Sequence, residues 1–168
     1  MKRSEAREIA FKLIYEASVQ KDKELADLVA DTETSQEFSA NEYIRATLLG
    51  VVEKREEIDA IISENSHGWK LNRISVTSGA ILRLAIYEML YTSTPFPIVI
   101  NEAVELAKKY DHEKAPKFIN GILNTVAEQK GLKKPKAGKK TAESAEASIA
   151  TEAAAESDEA HGTDSENE

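Results

Sequence analysis

Apolar residues recur at three- and four-residue steps through most of the first 132 positions, the period of amphipathic helices, and no segment alternates as a strand would. The spacing predicts a helix over residues 4–19, with Ala6, Ile9, Ala10, Leu13, Ile14 and Ala17 as its inward stripe. Arg7, Phe11 and Tyr15 follow one another at four-residue steps beside that stripe, with Arg3 one turn earlier. Cations and rings are therefore expected to share an accessible edge. A short helix carrying Leu25, Leu28 and Val29 follows Asp22, and the polar run DTETSQ, residues 31–36, reads as a loop. Ser39 and Glu42 have capping-box spacing. They open a long helix, or a broken pair, through Tyr43, Ile44, Leu48, Leu49, Val52, Ile58, Ile61 and Ile62, with Gly50 as a candidate bend. Trp69 and Leu71 are expected to pack under the next helix, which Ser75 would cap.

That next helix has no wide polar face. Ile81, Leu82, Leu84, Ala85, Ile86, Met89 and Leu90 predict a segment surrounded by other helices. Pro95 and Pro97 interrupt the chain, and Pro97 suits the first turn of a following helix. This helix would turn Ala103, Val104, Leu106 and Ala107 inward and Glu102, Glu105, Lys108 and Lys109 outward. A last helix follows Pro116 and buries Phe118, Ile119, Ile122, Leu123 and Val126, with Gly121 expected to permit a close helix contact. The pattern specifies a compact all-α body of six or seven helices.

Three stretches are more specific than periodicity requires: ILRLAIY at 81–87, INEAVELAK at 100–108 and KFINGIL at 117–123. In this order they closely resemble the NusB family, bacterial transcription antitermination factors that bind RNA, with weaker agreement from about Arg7 to Gly131. The resemblance implies an all-α, NusB-like fold of two small helical bundles packed together.

Composition divides the chain at Leu132. Residues 133–168 hold no aromatic residue and one large aliphatic, Ile149, and are expected to form a disordered tail, Lys-rich and then acidic. Its five lysines and nine acidic residues supply half of the net charge of −8, so the body at 1–132 is only mildly acidic. A negative total does not exclude nucleic acid, because affinity depends on the field at the binding face. The absence of cysteine excludes disulfides, thiolate metal sites and a cysteine nucleophile. No run is long enough to span a membrane and the N-terminus does not read as a secretory signal, so a cytoplasmic protein is expected.

By itself, the basic N-terminal edge of Lys2, Arg3, Arg7 and Lys12 reads as a solvated helix end. The resemblance implies instead that it grips RNA, although Ser4 and Glu5 stand where richer family members carry further basic residues. Lys117 and Phe118, reached through the loop 111–116, pair a cation with a ring that can stack on an unpaired base, and the family resemblance places this region near the RNA. Packing of Phe118 in the core is the alternative. The resemblance also implies docking of the ribosomal protein NusE at Tyr15 and near Ser78, where Ser78 and Gly79 replace a charge common in relatives. Glu102, Glu105 and Asn101 are better explained by a solvent-facing helix than by catalysis. His67, His112 and His161 show no zinc-ligand spacing, and no glycine-rich phosphate loop occurs, so neither metal nor cofactor is expected.

The function implied is non-enzymatic: an adaptor that, with NusE, recognises boxA-type single-stranded RNA in ribosomal RNA leader transcripts, joins the elongating RNA polymerase with other Nus factors and prevents premature termination. Alternatives are a targeting module for a separate ribosomal RNA methyltransferase and a protein-only scaffold. Monomer and homodimer both remain open.

Overall fold

In a computed structural model, residues 1–20, 24–34, 41–66 and 74–132 are described. Among them all regular structure is helical: α1 (Arg3–Val19), α2 (Leu25–Thr34), α3 (Glu42–Glu53), α4 (Arg55–Asn65), α5 (Val76–Tyr91), α6 (Phe96–Tyr110) and α7 (Ala115–Gln129). Ser39, His67, Trp69, Leu71 and the tail after Leu132 lie outside the described residues, and with them the expectations placed on those positions. None of the helices described is long and apolar enough to cross a membrane.

Local chemistry sets the helix ends. Asn41 caps α3, its side chain accepting from the backbone N–H groups of Tyr43 and Ile44, so the cap is Asn41 next to Glu42 rather than the Ser39–Glu42 pair. Ser75 caps α5 as expected, accepting from Ser78 N. Prolines 97 and 116 occupy the first turns of α6 and α7, where a missing N–H costs nothing. Gly131, at φ 69°, ends α7: Leu132 N donates to Ala127 O and Gly131 N to Glu128 O, the paired bonds of a Schellman stop. Residues 31–34 continue α2, so the expected DTETSQ loop is corrected over its first four residues.

Helices α1, α2 and α3 pack on one another, and α4, α5, α6 and α7 form a second group, joined through contacts of α5 with α1 and α3. The central position expected for α5 holds: Ile81, Leu82, Leu84 and Ile86 are essentially inaccessible, each contributing about 1.5–3 kcal/mol relative to exposure. In α1 the inward face is rotated from the expected stripe. Ala6, Arg7, Ala10, Phe11 and Ile14 are buried, whereas Ile9, Leu13 and Ala17 are only partly covered. On this face Arg7 meets Glu88 of α5, and the Phe11 ring packs 5.2 Å from that of Tyr110 in α6.

The interior glycines reverse the expectation. Gly50 is no bend but lies within α3 beneath Tyr87, whose ring would stand 2.2 Å from an added Cβ. Gly121 faces open space, with nothing within 4 Å. Leu49 is exposed and Val51 takes its place in the core.

Candidate nucleic-acid interface

At the N-terminal corner, Lys2 and Arg3 are exposed at the start of α1. The Arg3 guanidinium lies over the Tyr43 ring, 4.1 Å from its centroid. Lys2 N donates to Glu5 Oε2 at 3.0 Å, so the acidic residue that departs from a basic N-terminal pattern caps the helix.

Arg7 corrects the expected accessible edge. Its side chain is 4% exposed, and its Nε and Nη2 donate to Glu88 Oε2 and Oε1 at 2.8 and 3.1 Å. A further contact reaches Glu102 at 3.4 Å. The Tyr43 hydroxyl donates to Glu88 Oε1 at 2.7 Å. Burial disfavours the Arg7 charge, but the hydrogen bond and charge of Glu88 outweigh it and raise its pKa. Burial and then Glu88 push the Tyr43 hydroxyl well above the ordinary tyrosine range, so it remains a donor. Arg7 thus joins α1, α3, α5 and α6 and has no guanidinium face open to a phosphate. Phe11, also placed on that edge by its spacing, is buried.

The second corner lies at the other end of α5, with Ser78 and Glu88 separated by roughly 15 Å along the axis at 1.5 Å per residue. Lys117 is exposed in the first turn of α7, and Phe118 is half-buried against the core with part of its surface open. The loop before them is pinned by Asp111, which accepts from Ser75 Oγ at 3.1 Å, Ser78 Oγ at 2.5 Å and His112 N at 2.8 Å. Ser78, expected near the partner contact, is buried, and its hydroxyl supports the loop. Tyr15 is 39% exposed.

Along the flank of α1, Glu8 and Lys12 meet Lys109 and Tyr110 of α6. Glu8 accepts from Lys109 Nζ at 2.7 Å and from the Tyr110 hydroxyl, and Lys12 and Lys109 flank the Tyr110 ring at 5.7 and 5.2 Å. Those hydrogen bonds, Lys109 first and Tyr110 second, hold the Glu8 carboxyl at about 2. Beside it runs a groove of about 340 Å³ lined by Glu5, Glu8, Glu102 and Glu105 with Lys108 and Lys109. Four carboxylates disfavour phosphate there. Among the described residues no cluster of side chains could hold a metal ion.

Glu88 was the missed signal: the one carboxylate in a helix with no wide polar face calls for a buried partner. Tyr43 and Asp111 had no comparable mark.

Comparison with known proteins agrees with this architecture. Residues 4–128 match the NusB family. The transcription antitermination protein NusB of Acetivibrio thermocellus is 47% identical over 135 residues, covering 77% of this chain and 91% of that protein. Among solved structures, NusB of T. maritima superimposes with a TM-score of 0.69 at 34% identity, over 76% of this chain and 92% of its own. A complex of the antitermination factors NusB and NusE with dsRNA gives 0.66 at 28% identity, over 76% and 96%. With a family match spanning α1 to α7 and a superposition on a solved NusB over three quarters of the chain, the chain belongs to the NusB family.

Proposed function

We propose that this chain is a non-catalytic antitermination adaptor that binds boxA-type single-stranded RNA of ribosomal RNA leader transcripts together with NusE and carries it to the elongating RNA polymerase. The observation that supports it most is an exposed cation seated on a ring, Arg3 over Tyr43, on a protein that also exposes Lys117 next in sequence to the half-buried ring of Phe118. A family relative has been solved with NusE and RNA, which supports the same partners. In this reading Lys2 and Arg3 hold phosphates, Lys117 and Phe118 hold a nucleotide further along the strand, Arg7 supports the scaffold beneath Arg3, and NusE docks beside Tyr15. Residues 1–132 carry the activity, and removal of the tail leaves helicity unchanged. Chemistry by turnover plays no part; affinity comes from phosphate neutralisation and stacking.

The test is a titration of boxA-type RNA with and without NusE at two salt concentrations, using native protein, Arg3→Ala and Lys117→Ala. NusE is expected to tighten binding, and each substitution to weaken it and reduce the logarithmic salt slope by about 0.7 per lost single-strand phosphate contact. Unchanged slopes in both variants would move the RNA to another face. NusE binding with no gain in RNA affinity would instead support a protein-only scaffold.

A further inference from the structure

The first turn of α3 carries no residue assigned to RNA above, yet it holds the N-terminal segment on both sides of Lys2. Asn41 Nδ2 donates to Met1 Sδ at 3.4 Å, while Tyr43, two residues on, lies 4.1 Å beneath the Arg3 guanidinium. Asn41 also fixes the turn itself, its Oδ1 accepting from Tyr43 N at 3.1 Å and Ile44 N at 3.3 Å. Resting on the reading of Arg3 as a phosphate contact, we propose that Tyr43 is a positioning residue that seats Arg3 for RNA, which makes the start of α3 part of the interface.

Three physical points carry this. An exposed arginine samples many rotamers and loses that freedom on gripping a phosphate, so a seat that limits the rotamers beforehand lowers the cost of binding. Stacking on a ring uses the flat face of the guanidinium and leaves its rim of N–H donors free for phosphate oxygens. The seat itself is immobile, because the Tyr43 hydroxyl donates at 2.7 Å to Glu88, the same carboxylate that Arg7 grips through two nitrogens. A flexible ring would transmit no order to Arg3; this one is tied to the buried centre of the fold.

The experiment is a double-mutant cycle on the full chain, titrating a boxA-type single-stranded oligonucleotide into native protein, Arg3→Ala, Tyr43→Leu and the double variant, with circular dichroism confirming the fold. Loss of a cation–π seat at an exposed site corresponds to a change of about two- to fivefold. Tyr43→Leu is therefore expected to weaken binding by that factor in the native background and to have no further effect once Arg3 is alanine. Equal weakening in both backgrounds would give Tyr43 a merely structural role and overturn the proposal while leaving the RNA-binding reading intact. No effect of Arg3→Ala alone would instead remove the reading on which the proposal rests. Should Tyr43→Leu not fold, the native protein still decides: ring-current displacement of the Arg3 side-chain proton resonances is expected, and random-coil shifts would overturn the proposal.

Discussion

At its C-terminal end α5 presents a buried carboxylate, Glu88, to an arginine and a tyrosine from two other helices, whereas at its N-terminal end it presents two hydroxyls, Ser75 and Ser78, to a carboxylate from the α6–α7 corner. Both arrangements fix a surface feature: the platform under Arg3 in one case, the approach to Lys117 and Phe118 in the other. The difference lies in what remains when one partner is lost. At the Glu88 end a cation is left in the interior; at the Asp111 end only neutral hydroxyls are. The first end should therefore fail abruptly and the second by degrees.

Removing the charge tests this most severely. Glu88→Ala leaves Arg7 buried with only the more distant Glu102 and should cost about 3–5 kcal/mol in denaturant unfolding. Combining Arg7→Met with Glu88→Leu should recover much of that loss, and a single-site cost below that of Asp111→Ala would break the comparison. Asp111→Ala removes three accepted hydrogen bonds but no counter-ion in the interior, and should cost about 1–3 kcal/mol.

Two glycines, one in α3 and one in α7, sharpen the contrast between tight and open packing. Gly50→Ala sets a methyl against the ring of Tyr87, the neighbour of Glu88, and should destabilise by about 1–3 kcal/mol despite better helix propensity. Gly121→Ala meets nothing and should stabilise by about 0.5–1 kcal/mol. Thermal midpoints moving in opposite directions are the expected outcome.

The smallest effect is on pH dependence. Glu8, held at about 2 against an ordinary 4.5, binds protons less readily folded than unfolded, so its contribution is complete above about 4.5 and is lost as pH falls toward 2. Its side chain is a quarter exposed, and solvent screening keeps the term small. Glu8→Gln should flatten the fall in stability across that window, measured by urea midpoints at successive pH values.

The parts of the fold set by local pattern were legible in the sequence. Helix α5 could be read as central because it lacks a polar face, and Pro97, Pro116 and Ser75 mark helix starts through backbone chemistry alone. Features decided by contacts distant in sequence were not. Arg7 lies next to the apolar stripe of α1, and only its meeting with Glu88, 81 positions away, turns it from a surface cation into an interior one. The roles of Gly50 and Gly121 depend on whether another helix passes over them, which helical periodicity does not encode. Ser78 lies on a helix whose other faces are also buried, and the loop that covers it comes from a residue 33 positions on.

The most direct test of a two-cornered RNA face is backbone amide NMR of the isotopically labelled chain, titrated with boxA-type single-stranded RNA. Resonances of residues 2–5 and of 114, 115, 117 and 118 should shift together and saturate at one RNA concentration, with Arg7 and Ser78 moving little. Shifts confined to one of those segments, or centred on a surface that includes neither, would contradict it.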